Sequence, residues 1–421
     1  MHWPHTNDEL ELMITASERL HTTDSCDELA EKVERFVRYV VAAYERDPRN
    51  TRHGPTQNLV EELRIKAREA GVLTPHIRPD GSHLTQRDTA TVLIRTGLSP
   101  LGPIACNTNA PDEGNMYLLG KVASPAQKKR FLDPLVRGEV RSAFLMTEPA
   151  VDQGAGSDPS MLQTRAIPDG DGWIINGRKT FITGFQGAGV AMVMANTATG
   201  DALAASMFLV DLPNPAIRTE RVLETIDSSF AGGHSLLRIE NLRVTREQLL
   251  GEPGQGLALA QIRLSPARLS HCMRWLGACR RAHEIATAYA CRRRAFGKLL
   301  IEHEGIGFQL ADNLIDLKQV ELMIDWCAGV LDSGSLGIAE SSMTKVAASD
   351  ALFRVADRCV QVMGGMGVSS DTIVEQIFRE IRAFRIYDGP TEVHKWSLAK
   401  KLKREYLHTL AGSGQDTFRQ R

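Results

Sequence analysis

Apolar residues fall at helical spacing through the first third of the chain, gather into short runs through the middle, and return to helical spacing towards the end. Leu29, Val33, Phe36, Val37, Val40 and Val41 mark one helical face, and Leu59, Leu63 and Ala67 mark another before Gly71, placed as a helix stop. The segments Thr85 to Thr96 and Met116 to Lys121 predict further helices. Ser124-Pro125-Ala126-Gln127 has the form of a cap with proline in the first turn, opening a helix that carries Phe131 and Leu135 and stops near Gly138. Beyond Ala143 the pattern changes. Val190 to Ala195, Ser206 to Val210 and Leu236 to Ile239 are short apolar runs parted by turn residues, among them Asp211-Leu212-Pro213-Asn214-Pro215 and Gly232-Gly233. Such runs predict an antiparallel β segment. After Gly251-Glu252-Pro253-Gly254-Gln255-Gly256 the helical period resumes, with Leu269, Met273 and Leu276 on one long helix and Leu310, Leu314 and Leu317 on the next. Long helices joined by short loops imply an antiparallel bundle. The reading is an α+β chain with boundaries at 1–142, 143–252 and 253–421, and polar, poorly ordered stretches at 1 to about 25 and after about 408.

Composition narrows the function classes. The 421 residues are 43% hydrophobic and 24% charged, with a net charge of −1. That balance gives no electrostatic footprint for nucleic acid or an anionic membrane. No run approaches the roughly 18 to 20 apolar residues of a spanning helix. Met1-His2-Trp3-Pro4-His5 lacks an apolar signal core and acidic residues follow soon, so a cytoplasmic protein is expected. The seven cysteines form no CxxC pair and the twelve histidines no HExxH pair, so reduced core thiols and no metal are expected.

Candidate chemistry begins between Ala143 and Thr183. The apolar run Ala143 to Met146 leads into Thr147-Glu148-Pro149 and then a Gly- and Asp-rich loop ending in Gly156-Ser157-Asp158. Asp169-Gly170-Asp171-Gly172 supplies a hairpin turn, and Trp173 to Thr183 is strand-like. A strand that breaks into a loop of small residues suits a flat polar ligand, with hydroxyls from Thr147, Ser157 and Thr183. It also suits an ordinary surface loop.

These pieces resemble the middle region of acyl-CoA dehydrogenases, where a TEP…GSD loop precedes an ING-K-x-(W/F)-I-(T/S) strand, here Ile175 to Thr183. The loop from Pro149 to Gly156 is longer than the family's usual spacer. Arg293-Arg294-Ala295-Phe296-Gly297-Lys298 resembles the R-x-x-F-G-K element, whose arginine reaches the FAD pyrophosphate, commonly of a neighbouring subunit. Gln361-Val362-Met363-Gly364-Gly365-Met366-Gly367 resembles the family's Q-x-x-G-G-x-G. The resemblance covers nearly the whole chain and implies a helical N-terminal domain, a β middle domain and a four-helix bundle. It also implies FAD held by Phe144, Met146, Thr147, Ser157, Phe181, Thr183, Arg293, Phe296, Gln361, Gly364, Gly365, Pro390, Thr391 and Glu392.

The resemblance places the proton-abstracting base at Asp388, within Arg385-Ile386-Tyr387-Asp388-Gly389-Pro390-Thr391-Glu392, where many members carry glutamate. Asp-Gly-Pro-x-Glu-Val-His and Arg263 to Arg274 are similar to the branch whose animal members carry a kinase-like domain. Ser157, Arg268 and Gly389 are the implied substrate contacts, Arg268 meeting the CoA phosphates or the acyl chain's polar end. The implied reaction is α,β-dehydrogenation of an acyl-CoA, with Asp388 taking the α-proton and flavin N5 the hydride. Electrons would pass to an electron-transfer flavoprotein, from a homodimer or homotetramer. A flavin oxidase of the same fold, of the nitroalkane oxidase kind with its aspartate base, and a non-catalytic partner subunit are the alternatives.

Overall fold

A computed structural model describes residues 24–198 and 203–413. The polar stretch expected at the start lies almost wholly outside these residues, whereas the chain past 408 continues as helix to Ser413. Helices α1 (Asp24–Tyr39), α2 (Gln57–Glu69), α3 (Gln86–Thr96) and α4 (Asp112–Val122) form an N-terminal layer. Val33, Phe36 and Val37 of α1 and Leu59, Leu63 and Ala67 of α2 are buried in one core, so the helical period does mark the inward faces. Thr85 caps α3, accepting the Asp88 N–H at 3.1 Å. Ser124 and Gln127 close a reciprocal capping box at 3.1 and 3.2 Å, an arrangement worth about 1 kcal/mol. The helix it opens passes through a π turn at Lys128–Leu132 before it stops at Gly138.

Eight strands follow: β1 (Ser142–Leu145), β2 (Arg165–Asp169), β3 (Gly172–Thr183), β4 (Val190–Asn196), β5 (Ala205–Asp211), β6 (Ile217–Leu223), β7 (His234–Val244) and β8 (Leu249–Leu250). They form one sheet in the order β8-β5-β4-β2-β3-β7-β6, with β1 added beside β4. The expected antiparallel pattern holds for most of it, and β2 and β3 close on the Gly170-Asp171 turn. Two pairings are parallel: β2 meets β4 at Arg165↔Asn196, and β1 pairs with β4 from Ser142↔Val190 to Leu145↔Val193. Parallel neighbours need a long crossover, and between β1 and β4 it contains the β2–β3 hairpin itself. Strand β4 is buried on both faces: Val190, Met192 and Met194 pack towards the helices, while Ala191, Val193 and Ala195 line the interior of the sheet. That is why its sequence reads as a continuous apolar run.

Five long helices complete the described residues: α5 (Gly256–Ala290), α6 (Glu304–Asp332), α7 (Ile338–Met363), α8 (Val374–Phe384) and α9 (Thr391–Ser413). Leu269, Met273 and Leu276 are fully buried on α5, as their spacing predicts. On α6 the expected face needs correction. Leu310 and Leu317 are inside, but Leu314 is 60% exposed. The inward stripe runs through Asn313, whose amide meets Cys359 Sγ at 3.5 Å and accepts from Arg358 at 3.3 Å, so a polar residue takes the place expected of a leucine. The N-terminal layer meets the bundle where α3 crosses α5 at close range. A Cβ on Gly277 would lie 2.0 Å from the Ile94 carbonyl, and one on Gly97 would lie 2.1 Å from that of Arg274. This crossing fixes α5 in height and rotation, and α5 carries much of the site below.

Candidate active site

The turn between α8 and α9, Tyr387-Asp388-Gly389, holds its last two residues at positive φ, +52° at Asp388 and +102° at Gly389. Aspartate tolerates that region better than most residues. Both carbonyls of the turn are clamped from neighbouring helices. Arg268 Nε of α5 donates to the Asp388 carbonyl at 3.1 Å, and His394 Nε2 of α9 donates to it at 3.2 Å. Lys345 Nζ of α7 donates to the Gly389 carbonyl. Arg268 is therefore buried and tied to the 387–389 turn.

The Asp388 carboxylate meets His271 Nε2 at 3.2 Å. Burial alone would raise its pKa; the His271 contact, with Arg263 and Arg268 nearby, outweighs burial and holds it well below the usual carboxylate range. Burial lowers Lys345 to about 8 and His271 to about 4. Trp275 Nε1 donates to the Tyr387 hydroxyl at 2.5 Å, and the Tyr387 ring lies 4.7 Å from His271.

A second cluster forms at the ends of β1 and β3. Thr180 N–H bonds the Thr147 carbonyl at 2.9 Å, which brings Met146 and Thr147 beside Phe181 and Thr183. Phe181 sits in left-handed backbone (φ +53°) with its ring 60% exposed. The Thr183 hydroxyl meets His234 Nδ1 at 2.9 Å, and His234 Nε2 meets Asp227 at 3.1 Å. Beneath them Glu148 and Lys179, both almost fully buried, form an ion pair at 2.8 Å. Glu148 also accepts backbone N–H groups from Gln163 at 2.6 Å and Thr164 at 2.9 Å, so one carboxylate ties the long Gly-rich loop back to its strand. Within that loop a Cβ on Gly154 would lie 2.5 Å from the Glu148 Cβ, which explains the glycine.

The ring of Phe230 joins the clusters, 5.4 Å from His234 and 6.4 Å from Tyr387. Thus Met146, Thr147, Phe181 and Thr183 converge with Arg268, Asp388 and Gly389 on one region. Phe144 stands behind it, its ring covered by the Arg263 guanidinium at 4.2 Å. Ser157 is exposed in the loop. Pro390 opens the first turn of α9; Thr391 is buried there, its N–H spent on the Arg385 carbonyl at 3.1 Å, and Glu392 is exposed. Arg293, Phe296, Gln361, Gly364 and Gly365 are all exposed, the Phe296 ring by 97%. Among the described residues no hydrogen bond, ion pair or ring contact joins those five to the first region.

Comparisons with known proteins place the chain in a family. Residues 143–241 match the family model for the acyl-CoA dehydrogenase middle domain, and residues 254–403 match the model for the acyl-CoA dehydrogenase C-terminal domain. The chain belongs to the acyl-CoA dehydrogenase family. It is 36% identical over 355 residues to the probable acyl-CoA dehydrogenase FadE2 of Mycobacterium tuberculosis, covering 82% of this chain and 86% of that protein. It is 33% identical over 403 residues to acyl-CoA dehydrogenase family member 11 of Gallus gallus, covering 92% of this chain but 51% of the relative, so it spans about half that protein's length. The fold superposes on butyryl-CoA dehydrogenase from Megasphaera elsdenii with a TM-score of 0.81 at 24% identity, over 91% of this chain and 99% of that one. Members of this family are flavoprotein oxidoreductases of fatty acid oxidation. Among the described residues no helix is long and apolar enough to cross a membrane.

Sequence reasoning missed the roles of several residues of this site. His394 closes the Asp-Gly-Pro-x-Glu-Val-His run and His271 lies within Arg263 to Arg274, yet neither run assigns them a contact, and Lys345, His234 and Asp227 carry no motif of their own. The signal available for α5 was its density of polar groups, Arg263, Arg268, His271 and Arg274, on a helix otherwise rich in core residues.

Proposed function

We propose that the protein is an FAD-dependent acyl-CoA dehydrogenase that removes the α-proton of an acyl-CoA thioester with Asp388. The observation that carries this is the carboxylate itself, held ionised on a clamped turn one aromatic ring away from the Thr147–Thr183 cluster. Phe181 and Phe296 are uncovered aromatic rings, each in left-handed backbone, beside hydroxyls and an exposed arginine. That donor set fits a flat aromatic group bearing phosphates. Met146, Thr147, Ser157, Phe181 and Thr183, with the 390–392 turn, would hold its ring end; Arg293, Phe296, Gln361, Gly364 and Gly365 would hold the phosphate end of FAD on a second subunit. FAD supplies the acceptor for the β-hydride when bound. Substrate entering beside Asp388 would displace water and raise its basicity towards that of the α-carbon. The 2-enoyl-CoA then leaves, and the electrons go to an electron-transfer flavoprotein.

The test is anaerobic titration of purified protein with a panel of acyl-CoAs, following flavin absorbance. Asp388→Asn should keep FAD and bind acyl-CoA while flavin reduction slows by roughly two to four decades. Colourless protein that takes up no FAD would refute the cofactor. An Asn variant as fast as the parent would refute the base. Hydrogen peroxide formed from a nitroalkane, with no reduction by any acyl-CoA, would move the protein to the oxidases.

A further inference from the structure

We propose that His271 is the positioning residue of the base: its Nε2–H holds Asp388 Oδ2, so that Oδ1 is the oxygen presented to substrate. This rests on the reading of Asp388 as the base. Arginine N–H groups only donate, and Arg274 Nη2 lies 3.2 Å from His271 Nδ1, so Nδ1 is the acceptor. The one hydrogen of the neutral ring then sits on Nε2, 3.2 Å from Asp388 Oδ2. Arg274 is itself fixed, donating to the Thr108 carbonyl at 2.8 Å. Tyr387 at 4.7 Å and Phe384 at 6.0 Å wedge the ring, and the glycine crossing of α3 on α5 holds its backbone.

Burial first, and then the charges of Arg274 on the same helix and Lys345 from α7, oppose a second proton on the imidazole and outweigh the pull of Asp388, so the ring stays a neutral donor. Tyr387 flanks the base, and His394 of α9 is occupied with the Asp388 carbonyl. Glu113 of α4 faces Arg274 and accepts from Ser270 at 2.6 Å. An aspartate is one methylene shorter than the usual glutamate and has fewer rotamers to fix. A single locked donor therefore suffices to aim it.

Two measurements test this. Holoprotein labelled with ¹⁵N-histidine, with His271→Gln to assign the ring, should show Nδ1 bare and Nε2 protonated throughout about pH 5.5 to 8.5. In rapid anaerobic mixing, His271→Leu should reduce its flavin about tenfold to a hundredfold more slowly, and its acid limb should move to higher pH. His271→Gln, whose amide reaches near the Nε2 position, should recover most of the rate and of the limb. A ring that carries its proton on Nδ1, or that titrates within this range, overturns the inference. So does an unchanged rate and limb in His271→Leu beside a slow Asp388→Asn. A fast Asp388→Asn overturns the base itself, which is a different result. Should the Leu variant not fold, the tautomer and the Gln variant decide.

Discussion

At the scale of single residues, the left-handed backbone at position 388 bears on why an aspartate stands where the proposed base is placed. Glutamate lacks the short side chain that lets Asp and Asn tolerate φ near +52°. Asp388→Glu is therefore expected to lower the thermal midpoint and to slow flavin reduction about tenfold to a hundredfold, since the longer arm also overshoots. A faster Glu enzyme in stopped flow would contradict this. A second prediction concerns pH. Burial holds His271 and His394 at about 4, against an ordinary 6.5. Between these values the unfolded chain binds protons that the fold does not, so stability falls as pH drops from about 6.5 to 4, by up to roughly 3 kcal/mol per ring. The depressed Asp388 stabilises the fold above about pH 4 and adds to the loss beneath it. Urea midpoints at successive pH values should show the fall, and His271→Gln should make it shallower; a flat series would refute it. Asp388 was legible because tyrosine, carboxylate and glycine lie in one contiguous run. His271, Lys345 and Glu113 were not, because they come from three helices and meet only through packing.

At the scale of elements, the Glu148–Lys179 pair is the fastening between β1, β3 and the Gly-rich loop. Glu148→Gln would leave Lys179 buried without its partner, a change that typically costs about 3 to 5 kcal/mol. The expected outcome is a lower thermal midpoint and weaker FAD retention on dilution, with the double variant Glu148→Gln, Lys179→Met recovering part of the stability. A double variant no more stable than the single one would show that the charge pair is not the cause. Most elements could be read from hydrophobic period and caps, as the Ser124 box and the buried face of α5 show. The parallel pairing of β1 could not. Four residues, Ser142 to Leu145, look the same in either direction, and their orientation is set by a crossover of more than forty residues. Leu314 misled for a related reason: helical period marks an apolar face but does not say which face meets the core.

At the scale of the whole molecule, α6 presents Phe308, Ile315 and Leu322 outward at seven-residue intervals, each more than half exposed. A second copy is the natural cover for such a stripe, in keeping with the proposal that FAD lies between subunits. The short ribbon that carries Arg293 and the exposed Phe296 has its own genetic consequence. If Arg293 serves the neighbour's FAD, a chain carrying Asp388→Asn and a chain carrying Arg293→Ala are each inactive alone. Assembled together, they form one site with the intact aspartate of one chain and the intact arginine of the other. Two dead alleles expressed in one cell should then complement, and the mixed oligomer, purified through two different tags, should recover about half the activity of a parental dimer. Were Arg293 to serve its own chain, every site in that mixture would carry a lesion and no activity would return.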